Sequence, residues 1–342
     1  MDDSTAPTDW RIFKGDCDPH DGLRRLPKAP PWRPFGQDAE LVPPDHSSDG
    51  GEDIATALGR KFRCSDEMRE AVNLALYLRR PLLVTGKPGN GKSSLVLAVA
   101  RELRLGPVLR WPITSKSTLK EGLYLYDALG RLEELRRIGE PSDDSDIGRF
   151  IELGPLGTAL LPTDWPQALL IDEIDKSDLD LPNDLLNIFE QGEYSIPELA
   201  RARLKMPEKG VSVRRWRSQR EETVYYGHVP CKHFPFVVMT SNREREFPPA
   251  FLRRCIRITI EEPDDTMLGS IAESHFDEAT KTRARELITQ FLDNRRNNEL
   301  ATDQLLNAVY LILGSNQRFE DKDKKYLLEK LYQPISGIAA TR

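Results

Sequence analysis

Long apolar runs are missing from this 342-residue sequence, and no stretch approaches the roughly 20 residues that a membrane helix needs. A membrane-spanning role is therefore not expected. Cysteine is scarce: Cys17, Cys64, Cys231 and Cys255 lie far apart, without paired metal-ligand spacing. No disulfide framework is required, and a reducing cytoplasm is the simplest setting. The five histidines form no HExxH pattern, and a guanine-reading NKxD turn is absent. The acidic start, Met1-Asp2-Asp3-Ser4, leads into no apolar core, so a secretory signal is not expected. Basic excess is lacking too. The net charge of −6 argues against a dedicated nucleic-acid binder, although a local basic patch escapes such a sum.

What remains is a chain with 39% hydrophobic and 30% charged residues, long enough for one large domain or two moderate ones. Its organising stretch is Gly86-Lys87-Pro88-Gly89-Asn90-Gly91-Lys92-Ser93. An apolar run, Pro81-Leu82-Leu83-Val84-Thr85, precedes it, and Ser94-Leu95-Val96-Leu97-Ala98-Val99-Ala100 follows. Strand, glycine-rich turn and helix in that order have the spacing of a Walker A phosphate loop. The glycines allow a tight turn with N–H groups facing inward, and the start of the helix, Ser94 included, adds its positive dipole end. Lys92 would reach the β- and γ-phosphates, and Ser93 would offer its hydroxyl to Mg²⁺.

Ala168-Leu169-Leu170-Ile171-Asp172-Glu173 reads as a central parallel strand with two carboxylates at its tip. Asp172 would position Mg²⁺ through its water shell, and Glu173 would polarise an attacking water. Asp175-Lys176 is read as either a surface pair or a contact with an adjoining subunit. A second buried strand, Phe234 to Asn242, ends in Asn242, placed to sense the γ-phosphate or hold the water. Pro248 to Cys255 starts a short helix ending in Arg253 and Arg254, and Ile256 to Ile260 alternates as a strand.

Residues 1–55 are expected to be a proline-rich, partly disordered arm, since recurrent prolines prevent a regular helix. Trp10, Phe13, Trp32 and Phe35 leave two readings open: incidental aromatics in a linker, or a strap docking its rings on the domain behind it or on a neighbour. The α/β nucleotide-binding domain is placed at 56–262. Ser65 caps a helix over Asp66 to Leu78, Pro107 to Trp111 forms a strand, a mostly helical segment runs to about Arg137, and Phe150 to Gly157 is a loop or short hairpin. Asp180 starts a further helix through Phe189. Val211–Trp216 and Glu222–Tyr226 read as a β-hairpin with Arg214, Arg215, Trp216, Arg217 and Arg220 near its tip. That tip is either a solvated loop or a partner-contact surface. Helical periodicity takes over from residue 263 to 342, with segments near 264–275, 278–296, 301–313 and 321–333.

Taken together, GKPGNGKS at 86–93, LLIDEIDK at 169–176, VVMTSN at 237–242 and PPAFLRRC at 248–255 resemble an AAA+ ATPase, most closely the MoxR-like group. The similarity spans about residues 57–335. It implies a five-stranded parallel P-loop NTPase core followed by a small α-helical lid, assembled as a homo-oligomeric ring of six. It maps the Walker A residues, Lys92 and Ser93 among them, onto ATP and Mg²⁺ binding, Asp172 and Glu173 onto Walker B, and Asn242 onto sensor 1. Arg254 falls on the arginine finger, with Arg253 as an auxiliary. The lid departs from the pattern: Ala301-Thr302-Asp303-Gln304-Leu305 has Gln304 where an arginine is usual. The implied activity is Mg²⁺-dependent ATP hydrolysis driving remodelling or maturation of a partner protein complex, often one with a von Willebrand A domain. The alternatives are an ATP-controlled scaffold of low turnover in a defence or stress system, and a nucleic-acid motor.

Overall fold

Alternate residues of each core strand enter different apolar layers, which decides the architecture. Leu83, Leu169, Ile171, Val237 and Met239 belong to one buried cluster, whereas Leu82, Val84, Ala168, Leu170 and Val238 belong to another. A strand buried on both faces must lie inside a sheet covered on both sides. The computed structural model describes residues 9–16, 18–33, 35, 39–44, 59–138, 144–202, 210–264, 267–271, 287–289, 291–292, 302–314, 319 and 321–332. Its first half carries α1 (Asp66–Leu78), β1 (Leu82–Thr85), α2 (Lys92–Glu102), β2 (Leu109–Pro112), α3 (Leu119–Leu123), β3 (Tyr124–Tyr126), α4 (Ala128–Ile138), β4 (Ile151–Leu153), α5 (Pro155–Ala159) and β5 (Ala168–Asp172). There follow α6 (Leu181–Gln191), β6 (Glu193–Ser195), α7 (Pro197–Ala202), β7 (Val211–Arg214), β8 (Glu221–Val224), β9 (His228–Pro230), β10 (Phe236–Ser241), α8 (Pro249–Leu252), β11 (Ile256–Thr259), α9 (Thr302–Val309) and α10 (Asp321–Leu331).

The central sheet has the order β11-β1-β10-β5-β2, and every pairing is parallel. In register, Leu82 faces Val238 and Ile256, and Phe236 faces Ala168. The C-terminal tips of β1, β5 and β10 therefore lie side by side. Helices α1 and α2 bury Met68, Val72, Leu95 and Val99 against one face, while α5, α6 and α8 bury Leu156, Leu185, Phe189 and Phe251 against the other. This is an α/β core, a five-stranded parallel sheet with helices on both faces. Ser65 caps α1, its side chain accepting from Met68 N.

Two stretches differ from their sequence reading. The helical segment expected up to Arg137 is interrupted by β3, and the expected loop or hairpin at Phe150–Gly157 is a three-residue strand leading into α5. Ile151 and Leu153 are fully buried and find their partners far away: β4 pairs antiparallel with β3 and parallel with β7. The hairpin β7–β8 thus extends a second sheet of order β3-β4-β7-β8. Such pairings leave no local pattern. Gly157 permits the fit, because a Cβ there would sit 1.9 Å from the Leu123 carbonyl oxygen.

The described part of the arm is docked. Ile12 and Phe13 are fully buried with Leu23 in the α1/α2 layer, whereas Phe35 joins the opposite layer and stacks on Phe234 with centroids 5.1 Å apart. Trp10 makes an edge contact with Tyr77, and Trp32 is exposed. Asn73 on α1 is the anchor: its Oδ1 accepts from Ile12 N (2.7 Å) and Phe13 N (3.0 Å), and its Nδ2 donates to Phe13 O (2.8 Å). Glu102, at the end of α2 and also fully buried, accepts from the backbone N–H groups of Lys14 and Gly15. Arg33 donates to the carbonyl of Phe189, and Val42 N to that of Asp164. The strap runs past the ends where β1, β5 and β10 begin. Replacing Asn73 with Ala strands three buried backbone groups. The expected loss is about 2–4 kcal/mol of stability, with faster proteolysis within the first 44 residues. Chemical denaturation and timed digestion measure both.

In the C-terminal region, Leu268, Leu287, Ile288, Phe291, Leu305, Ala308, Val309, Ile312 and Tyr332 form a third apolar cluster. Much of the segments expected at 264–275 and 278–296 lies outside the described residues. The segment expected at 301–313 is α9 followed by a π-helical turn, Tyr310–Gly314, and that expected at 321–333 is α10.

Candidate functional site

Between β1 and α2 the chain turns through a loop in which Gly86, Gly89 and Gly91 all have positive φ. A Cβ at Gly86 would lie 2.4 Å from the Ile260 carbonyl oxygen, so only glycine fits. Pro88 and Gly89 make the turn, Asn90 Nδ2 reaches the Ile260 carbonyl at 3.4 Å, and Lys87 pairs with Glu262 at 2.8 Å. Helix α2 then starts at Lys92, where its first N–H groups have no partner within the helix.

Lys92 is buried, and its Nζ donates to Gly86 O (2.8 Å), Lys87 O (2.7 Å) and Asn242 Oδ1 (2.8 Å). Burial lowers its pKa, against the opposing pull of Asp175, Asp172 and Glu173. Asp172 ends β5 beside it. Ser93 Oγ (2.9 Å) and Thr240 Oγ1 (2.7 Å) both donate to its Oδ1, and Arg110 NH2 lies 3.2 Å from its Oδ2. A serine hydroxyl and a carboxylate sharing one spot are hard oxygen donors of the kind that suits Mg²⁺, and they stand beside the glycine-rich loop. Glu173 follows with φ 60°, a left-handed conformation that turns its side chain out of the strand. Its N–H donates to Thr240 Oγ1, Asn242 Nδ2 lies 3.4 Å from its Oε1, and Lys176 Nζ lies 2.7 Å from its Oε2. That contact with Glu173 raises the Lys176 pKa.

The sequence-predicted cluster of Lys92, Ser93, Asp172, Glu173 and Asn242 is therefore brought together at adjoining strand tips. Thr240 and Asp175 were not anticipated as members. Asp175 is neither a surface pair with Lys176 nor an outward contact: it is buried, and its Oδ2 accepts from the N–H groups of Asn242 (2.9 Å) and Glu244 (3.0 Å). It fixes the loop that presents Asn242. It stands three residues past the tip of β5 and reaches the next tip because β10 lies beside β5 in the sheet.

A cleft of about 540 Å³ opens beside the loop, lined by Gly91, Ser94, Phe62, Pro263, Thr302 and Leu306 among others. Phe62 packs against the loop, 3.6 Å from where a Cβ on Gly91 would sit. An aromatic between Lys61 and Arg63, just before the capped helix, was the overlooked signal. Thr302 and Asp303 face this cleft, whereas Gln304 donates to the Leu331 carbonyl at 2.9 Å and joins α9 to α10. The expected lid counterpart is thus engaged between the helices.

No protein-family model matches the chain, and no curated protein matches it. Among solved structures, the structure of C. elegans PCH-2 aligns over 81% of this chain and 72% of its own, at 14% identity and a TM-score of 0.39.

Arg254 is not part of the Lys92–Asp172 cluster. Its guanidinium forms a two-pronged ion pair with Glu190 near the end of α6, and it also donates to the Ala250 carbonyl. Arg253 contributes its carbonyl to Arg80 NH1 at 3.0 Å. On the hairpin, Arg214 pairs with Glu152 and Arg215 with Glu222, while the Trp216 N–H donates to Thr158 Oγ1. Arg217 lies over the Trp216 ring at 5.1 Å. Much of the tip's positive charge is balanced within the chain.

Proposed function

We propose that the chain is an AAA+ ATPase of the MoxR-like kind, hydrolysing ATP to ADP and phosphate to remodel or mature a partner protein complex. The observation that carries this reading is the convergence of Lys92, Ser93, Asp172, Glu173 and Asn242 on one edge of the parallel sheet. In this reading the loop N–H groups and Lys92 hold the β- and γ-phosphates, and the cleft beside Phe62 takes the nucleoside. Ser93 and Asp172 would hold Mg²⁺, which when bound neutralises charge across the β- and γ-phosphates. Glu173 accepts a proton from the attacking water, and Asn242, steadied by Asp175, orients that water or the γ-phosphate.

Arg254 is assigned to the neighbouring subunit's site in a homo-oligomeric ring. Its tie to Glu190 makes that role conditional on assembly, because the guanidinium must exchange Glu190 for a phosphoryl group next door. The internal pairing of Arg214 and Arg215 favours a protein partner over nucleic acid at the hairpin. A partner carrying a von Willebrand A domain remains a proposal resting on sequence resemblance.

The test is equilibrium binding of a fluorescent ATP analogue, steady-state phosphate release, and particle mass with and without ATP. Mg²⁺-dependent binding, release of phosphate and growth of an oligomer are expected. A wild-type protein that binds no nucleotide overturns the reading. Tight binding with no turnover in an assembled oligomer replaces it with the nucleotide-controlled scaffold.

A further inference from the structure

Resting on that reading of Asp172, we propose that Arg110 is a built-in counter-cation that holds Asp172 and must be displaced before a divalent ion can use it. Asp172 is a carboxylate with two differently employed oxygens. Its Oδ1 accepts from Ser93 and Thr240, both neutral hydroxyls on elements that build the site. Its Oδ2 faces a full positive charge, the guanidinium of Arg110 at 3.2 Å. Arg110 comes from β2, the edge strand next to β5, where Leu170 is its register partner and Pro112 is that of Asp172. The same strand exit is tied to Asp172 a second time, by the Ile113 N–H donating to the Asp172 carbonyl at 2.9 Å.

The two ends of the ion pair differ in freedom. The Arg110 side chain is 60% exposed, whereas that of Asp172 is 20% exposed. The carboxylate is fixed and the cation can swing away into water. An exposed guanidinium on a carboxylate contributes little to stability, typically about 0.2–1 kcal/mol. That is enough to matter at a metal site, because a bound cation both occupies the oxygen and repels a second positive charge. Arg110 is thus a positioning residue: it keeps Asp172 aligned on Ser93 and Thr240 and sets the Mg²⁺ concentration at which the site fills.

The readout is metal dependence, not turnover. Full-length wild type and Arg110→Gln are titrated with Mg²⁺ at fixed fluorescent ATP analogue, and metal occupancy is followed separately by the electron-spin resonance of Mn²⁺ with ATP. Arg110→Gln should lower the half-saturating Mg²⁺ by a factor of about 1.4 to 5, the range the ion pair's strength converts to. Arg110→Lys, which keeps the charge, should stay near wild type. Lys116→Gln removes one charge from the loop after β2 without touching Asp172, and should shift the titration little. Nucleotide binding in EDTA should be nearly equal in all four proteins.

Unchanged half-saturation in Arg110→Gln, or an equal shift in Lys116→Gln, overturns the inference while leaving the nucleotide site intact. A higher Mg²⁺ requirement in Arg110→Gln also overturns it, since Arg110 would then be assisting the ion. If wild type binds no nucleotide under any metal condition, the reading of the whole site falls with it.

Discussion

Replacing Glu173 with Gln should leave ATP binding close to wild type and reduce phosphate release about 10²–10⁴-fold. The geometry explains the asymmetry. Glu173 lies one residue beyond the strand tip in a left-handed conformation, and its carboxylate touches Asn242 and Lys176, not the loop carbonyls or Ser93. The amide is nearly isosteric and still hydrogen-bonds, but it cannot take a proton from water. Parallel measurements of binding and phosphate release read the effect directly. Equal turnover in the two proteins would remove Glu173 from the chemistry.

Lys92→Ala should behave differently and lose binding itself. Its ammonium is buried at the mouth of the loop, bridging two loop carbonyls and Asn242, so removal deletes the only cation that reaches all three groups among the described residues. Charge-assisted hydrogen bonds of about 1.5–3 kcal/mol convert to roughly 10- to 150-fold weaker nucleotide affinity, with turnover falling at least as far. Fluorescence titration of the ATP analogue checks the affinity, and thermal unfolding without nucleotide checks that the variant is folded. Wild-type affinity in a folded Lys92→Ala protein would refute the phosphate-loop assignment.

The elements around the site were legible because each is written locally. A strand buried on both faces is a continuous apolar run, as in Leu169-Leu170-Ile171, and a glycine-rich turn ahead of a helix carries its own spacing. Ser65 announces α1 by the same local logic. What escaped was non-local. The strand Ile151–Leu153 exists because Tyr124–Tyr126 and Arg214 pair with it, and three-residue strands have no period to detect. Asp175, Thr240 and Arg110 belong to the site through adjacency of strand tips, which appears only when the order β11-β1-β10-β5-β2 is known. Arg254 stood out in sequence, but its engagement with Glu190, 64 residues away, did not. Gln304 was counted by offset from a lid pattern, whereas helix rotation decides which of Thr302, Asp303 and Gln304 faces the cleft.

The strap has a consequence in time. Phe35 stacks on Phe234, and the Glu40 carbonyl accepts from His233, so the seat of this end of the strap is built from chain made about 200 residues later. At about 5–20 residues per second, synthesis leaves roughly 10–40 seconds between the emergence of Phe35 and that of its partner. During that interval Phe35 is an apolar side chain without its stacking partner, whereas Ile12 and Phe13 already have Asn73 of α1, 61 and 60 residues on, to dock against. The prolines at 27, 30 and 31 offer few backbone donors and resist strand pairing, which guards the waiting segment against association with other nascent chains. Docking of the Phe35 end is then a late event in folding, closing the α5/α6 face of the sheet after the strands beneath it have assembled.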